Sequence, residues 1–182
     1  MERVIASTRL RTIKADITTL SIDAVVNAAN SSLMGGGGVD GAIHRAGGPA
    51  ILDECRKIVE RIGRLPTGEA VITTAGQMPA KHVIHTVGPV WRGGKQNESA
   101  LLRNAYTNSL KVAKENGLKT IAFPSISTGV YGYPVHLAAM EAVDAVVQFV
   151  KQNPDLFDEI IFCGFDAATE EEYADALEEC SA

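Results

Sequence analysis

Short apolar runs alternate along the chain with longer stretches in which apolar residues recur every three or four positions. The short runs fall at residues 10–15, 22–26, 71–74, 83–87, 120–123 and 159–163. Several are continuous rather than alternating, as expected for strands covered on both faces. Leu102, Ala105, Tyr106, Ser109 and Ala113 repeat at helical spacing, with Gly117 as a stop. Ala139, Val143, Val146, Val147 and Val150 form a second stripe, opened by Pro134 and closed before Pro154. Residues 41–46 and 50–62 make a helical pair broken by Gly47, Gly48 and Pro49, and Thr169 with Glu172 reads as a capping box for a final acidic helix. Together these elements predict an α/β fold: a three-layer α/β/α sandwich around a mixed, mostly parallel central sheet, in one domain over residues 1–182.

Composition narrows the function classes. At 46% hydrophobic and 21% charged residues, the 182-residue chain has an ordinary globular mixture, long enough for a full core. A net charge of −5 argues against general nucleic-acid binding. No apolar run approaches the roughly 18 residues of a membrane span, so no membrane association is expected. The opening MERVIASTRLRTIKAD lacks a signal-peptide core, which makes the cytoplasm the expected location. Cys55, Cys163 and Cys180 fit neither a zinc spacing nor a disulfide framework and read as reduced thiols.

Two glycine-containing loops carry the candidate chemistry. The first lies within AVVNAANSSLMGGGGVDGAIHRAGG, residues 24–48, and the second is PSISTGVYGYP, residues 124–134. Each follows a predicted strand and precedes a helix, so both belong at the sheet edge where ligands bind. Glycine lets main-chain N–H groups converge on an anion, and a following helix N-terminus favours negative charge. Two facing loops of this kind suit a diphosphate; two plain surface turns are the alternative. Gly36, Gly38 and Gly41 spell G-x-G-x-x-G, but NAANSSLM separates them from the strand, so a dinucleotide fingerprint is rejected. Asn27 and Asn30 end the preceding strand, where amides can hold sugar hydroxyls or simply terminate it. Asp40 is equally readable as a helix cap or as a carboxylate aimed into a cleft. Asp16 could cap a turn or accept from a base amino group. His82 and His85, three apart in a strand, point to opposite faces and make no metal pair. His44, one helical turn after Asp40, could contact it or a ligand but reads more simply as a packed surface histidine.

These segments in order resemble the macrodomain family, and its bacterial ADP-ribose-hydrolysing branch in particular. The resemblance rests on ADIT (15–18), VVNAAN (25–30), GGGGVDGAIHRAGG (35–48), PTGEAVITTAG, HTVGPVW and ISTGVYGYP. Ala15 stands where the family commonly has glycine, and Gly47 where it commonly has alanine. The resemblance implies a site for ADP-ribose: Asp16 accepting from the adenine amino group, Ile17 donating its main-chain N–H, and Phe165 stacking on adenine. It implies main-chain amides of Ser127, Thr128, Gly129, Val130 and Tyr131 around the diphosphate, with Gly37, Gly38 and Val39 closing the other side. Asn27 joins the ligand-binding set, Asn30 holds the distal ribose, and Asp40 lies near its anomeric carbon.

The activity so implied is hydrolysis of ADP-ribose esters, with water attack assisted by the catalytic residues Asp40 and Asn30. The expected substrates are O-acetyl-ADP-ribose and mono-ADP-ribosylated proteins carrying the group on acidic side chains. No cofactor and no metal are called for, and a monomer is the family-consistent state. Two competing functions are a non-catalytic ADP-ribose reader and a regulatory partner of a nucleic-acid-processing enzyme. The densest basic cluster, Arg56, Lys57, Arg61 and Arg64, would serve the latter but reads more simply as a solvated helix face.

Overall fold

The computed structural model describes residues 1–181. Seven strands form one sheet: β1 (Glu2–Ile5), β2 (Thr8–Lys14), β3 (Ala24–Ala28), β4 (Ala70–Thr74), β5 (His82–Thr86), β6 (Thr120–Phe123) and β7 (Glu159–Gly164). Their spatial order is β1-β2-β7-β6-β3-β5-β4. The five central strands are parallel, while β1 on β2 and β4 on β5 are antiparallel at the two edges. Helices α1 (Gly38–Gly47) and α2 (Pro49–Ile62) cover one face; α3 (Glu98–Glu115), α4 (Val135–Gln152) and α5 (Ala167–Glu179) cover the other.

Strand β3 shows why the apolar runs are continuous. Ala24 and Val26 pack with the α3–α4–α5 layer, while Val25 between them packs with Ile43 of α1 and Ile51, Cys55 and Ile58 of α2. Each successive side chain enters a different core, so no position of the run meets solvent.

Three details differ from the sequence pattern. Strand β1 has no predicted counterpart, because a half-exposed edge strand carries little apolar signal. Strand β3 runs to Ala28 rather than stopping at Val26, since pairing with β5 continues to Ala28 opposite Thr86. This shift places Asn27 inside the strand, on the same face as Val25. Helix α5 is capped by Asp166, whose carboxylate accepts from the Thr169 N–H at 2.8 Å, so Thr169 is a first-turn residue and not the cap.

Candidate functional site

Strands β2, β7, β6 and β3 run parallel, so the segments leaving their carboxyl ends meet at one edge of the sheet. There they enclose a cleft of about 720 Å³. Its walls are Asn30 and the glycine loop with α1 on one side, and residues 124–131 on the other. Ala15 and Ile17 after β2 and Phe165 and Asp166 after β7 close the far end. The structure thus brings together, on one cleft, the expected Asn30, Gly37, Gly38, Val39 and Asp40. From the second loop it adds Ser127, Thr128, Gly129, Val130 and Tyr131.

The glycine loop is built around two amides and a carboxylate. Asn30 donates from Nδ2 to the Gly35 carbonyl at 2.9 Å and accepts from the Ser32 hydroxyl at 2.6 Å, so half of its hydrogen-bonding capacity shapes the loop. Gly36 lies against both side chains: a Cβ there would sit 3.2 Å from Asp40 Oδ2 and 3.4 Å from Asn30 Nδ2. Gly38 has a φ of +58°, a left-handed conformation that admits the chain to the first turn of α1.

Asp40 is in that first turn but caps nothing; Gly37 is the cap residue and makes no side-chain bond. Asp40 is only 5% exposed, and burial pushes its pKa above the ordinary carboxylate value. A hydrogen bond from Asn27 and the nearby His44 act in the opposite direction. Asn27 Nδ2 donates to Asp40 Oδ1 at 2.8 Å, and His44 Nε2 lies 3.4 Å from the same oxygen. Two expectations are resolved here. His44 makes the contact with Asp40 that its spacing allows, because one turn of helix stacks position 44 over position 40. Asn27 is wholly buried beneath α1 and forms no part of the cleft wall, because the longer β3 turns its side chain toward α1 and away from the ligand side.

The second loop is tied down from beneath. The fully buried Tyr106 hydroxyl donates to the Pro124 carbonyl at 3.3 Å and accepts from the Ile126 N–H at 3.4 Å. Tyr173 lies 2.9 Å from Ser125, which lies 2.6 Å from the Thr128 hydroxyl. From the side, Trp91 donates its main-chain N–H to the Tyr131 carbonyl at 2.8 Å. Ser127 sits at φ +68°, unusual for a residue with a side chain, and its buried hydroxyl has no partner within the protein. Backbone strain held beside an orphaned donor is the kind of feature that collects at ligand sites. The supporting tyrosines were not among the residues singled out from sequence. Helical spacing marked Tyr106 only as core, and its polar end shows itself only in three dimensions.

At the opposite end, Asp16 Oδ1 is occupied by the Thr18 N–H at 3.0 Å and the Thr18 hydroxyl at 2.7 Å, capping the short turn Ile17–Thr19. Asp16 itself is exposed just outside the cleft lining. Phe165 stands 84% exposed at the rim, a large aromatic face with no protein partner covering most of it. Among the described residues no group of three or more His, Cys, Asp or Glu side chains could hold a metal. Among the same residues no helix is long and apolar enough to cross a membrane. A more open depression of about 400 Å³ between α2, β4 and α3 mixes Lys57 and Arg61 with Glu54 and Glu115. Arg56 of the basic cluster is paired with Asp53 at 3.8 Å.

Comparison with known proteins places these features in a wider set. The family model described as "Macro domain" matches residues 26–142. An O-acetyl-ADP-ribose deacetylase of Escherichia coli (strain K12) is 57% identical over 159 residues, covering 87% of this chain and 89% of that protein. The structure of the Oceanobacillus iheyensis macrodomain with ADP matches with a TM-score of 0.93 at 43% identity, covering 98% of this chain and 94% of that one. A Trypanosoma brucei macrodomain in complex with ADP-ribose matches with a TM-score of 0.84 at 38% identity, covering 92% of this chain and 68% of that one.

Proposed function

We propose, from the premise that this chain belongs to the macro domain family, that it hydrolyses esters at the distal ribose of ADP-ribose. O-acetyl-ADP-ribose and proteins mono-ADP-ribosylated on acidic side chains are the substrates. The observation that carries this reading is the Asp40 carboxylate, buried at the cleft wall and separated from Asn30 by a glycine without a side chain. A pure binding pocket gains nothing from a desolvated carboxylate facing a polyanionic ligand, whereas a hydrolase needs a base.

The chemistry follows from the arrangement. The loop over residues 127–131 wraps the diphosphate with main-chain N–H groups, and Phe165 and Ile17 hold the adenine end. Anchoring there extends the distal ribose toward Asn30, whose free hydrogen-bonding capacity orients the sugar. Water on the glycine side attacks the electrophilic carbon as Asp40 draws off its proton. The ester C–O bond breaks, and the proton passes to the leaving oxygen. Burial raises the Asp40 pKa and makes it a stronger base than an exposed carboxylate. A single macro domain over residues 1–182 acting as a monomer is sufficient for this scheme, since every invoked group lies in one chain.

Incubation of the purified protein with O-acetyl-ADP-ribose, and separately with protein carrying ADP-ribose on acidic side chains, tests the assignment. Release of acetate or of free ADP-ribose is expected, with kcat in Asp40→Ala reduced about 10²- to 10⁴-fold, the range of general-base contributions. ADP-ribose binding without turnover of either substrate makes the protein a reader. A folded, fully active Asp40→Ala removes Asp40 from the mechanism.

A further inference from the structure

Beneath Asp40 a line of polar side chains crosses three adjacent strands on an otherwise apolar sheet face. Asn27 of β3 and His85 of β5 are register partners, and both are fully buried. Thr73 of β4 completes the line: its hydroxyl lies 2.9 Å from His85 Nε2, and His85 Nδ1 lies 3.1 Å from Asn27 Nδ2. Val25, Val83 and Ala75 surround them in the same core.

The proton positions follow from one constraint. With the Thr73 hydroxyl hydrogen assigned to the Thr74 carbonyl at 2.9 Å, Thr73 accepts from His85 Nε2, whose other polar neighbour is the Cys55 thiol at 3.9 Å. His85 therefore carries its proton on Nε2, and Nδ1 presents a lone pair. That lone pair accepts one Asn27 amide hydrogen, and the other goes to Asp40 Oδ1. A flipped Asn27 amide would set its oxygen against both a lone pair and a carboxylate. Burial, reinforced by His44, lowers the His85 pKa to about 3, so the neutral ring persists at working pH.

We propose that Thr73, His85 and Asn27 are positioning residues, a hydrogen-bond chain that fixes the Asn27 amide and through it aims the Asp40 carboxylate into the cleft. The proposal rests on the ester-hydrolase reading of Asp40. Stability alone does not account for the chain: Asn27 Oδ1 is buried without a protein partner, and an apolar trio would avoid that cost.

Thr73→Val removes the acceptor at nearly constant shape, Thr73→Ser restores it, Asn27→Leu removes the donor to Asp40, and Asp40→Asn is the reference. Each is measured for melting temperature, ADP-ribose affinity, and kcat for O-acetyl-ADP-ribose as a function of pH. Asn27→Leu is expected to lose about 100-fold in kcat through misplacement of the carboxylate, with ADP-ribose affinity unchanged within about twofold. Thr73→Val is expected to lose about fivefold, the worth of one hydrogen bond, and Thr73→Ser to recover it. With Asn27 gone, burial acts on Asp40 less opposed, so the acidic limb of kcat moves to higher pH. The titratable or charged groups around Asp40 are His44 and Arg45 on α1, Cys55 and Glu54 on α2, and His85 on β5; all remain in Asn27→Leu.

Wild-type kcat and pH limb in Asn27→Leu and Thr73→Val, with Asp40→Asn inactive, overturn the chain and leave the hydrolase reading standing. Affinity falling in step with kcat overturns the positioning role, as does a Thr73→Ser as impaired as Thr73→Val. An active Asp40→Asn, or a wild type without turnover, overturns the hydrolase reading itself and the chain's purpose with it. Should Asn27→Leu not fold, the two Thr73 variants decide.

Discussion

Gly41→Ala separates the stability of the glycine loop from its function. Position 41 lies in α1, where alanine is favoured over glycine by about 0.8–1.0 kcal/mol. Its backbone needs no left-handed conformation, so propensity alone predicts a more stable protein. The tertiary structure predicts otherwise: an added Cβ would lie 2.5 Å from the Gly36 carbonyl oxygen and 3.0 Å from an Arg45 guanidinium nitrogen. Arg45 can swing away because its long side chain is exposed. Gly36 is backbone, and reaching an ordinary carbon–oxygen contact requires a shift of about 0.5–0.9 Å. Overpacking of this kind costs about 1–3 kcal/mol, so helix propensity offsets part of it and the melting temperature falls by only a few degrees. Activity has no such offset. Gly36 lies against both Asp40 and Asn30, and a displacement near 1 Å at a catalytic constellation costs on the order of 10²-fold. Thermal melts together with kcat/KM on O-acetyl-ADP-ribose would read both effects. Wild-type kcat/KM in Gly41→Ala would refute the claim that close approach at this seam sets the site.

Other expectations concern parts of the molecule away from this seam. Burial would raise the Glu98 pKa, but main-chain N–H groups of Arg92, Gly94 and Gln96, together with its own, hold it at about 2. A depressed carboxylate stabilises the fold above its ordinary value of 4.5 and loses that contribution as pH falls toward 2. Glu98→Gln should therefore melt lower at neutral pH and show a flatter pH dependence of melting between about 4.5 and 2. Phe165→Ala should weaken ADP-ribose binding about fivefold in calorimetry, with little change in melting because the ring is exposed in the free protein. Burial pushes the thiol pKa of Cys55 to about 12 and of Cys163 to about 11, so neither should react with a maleimide at pH 7 until the protein unfolds.

Much of the fold was legible because its signals are local. Nearly continuous apolar runs at 120–123 and 159–163 mark strands covered on both faces, and the stripe from Ala139 to Val150 marks an amphipathic helix; none depends on distant residues. Strand β1 escaped because edge pairing relies on backbone hydrogen bonds to β2, which leave no hydrophobic period of their own. The end of β3 was misplaced because polarity at Asn27 resembles a strand end unless its partners, Asp40 and His85, are known to be buried with it.

The same division holds at the site. Linear order alone determined that two glycine loops follow strands and that a carboxylate stands in a helix's first turn, because chain direction and local geometry suffice to say so. Only the tertiary structure decided that Asp40 is a buried carboxylate held by Asn27 rather than a cap. Burial and hydrogen bonding are properties of whatever packs around a residue, and α1 and β3 meet there only when the sheet assembles. By the same physics Asn27 moved from the cleft wall to the support beneath it: a two-residue extension of a strand changes which face a side chain serves, and pairing with β5 sets that extension.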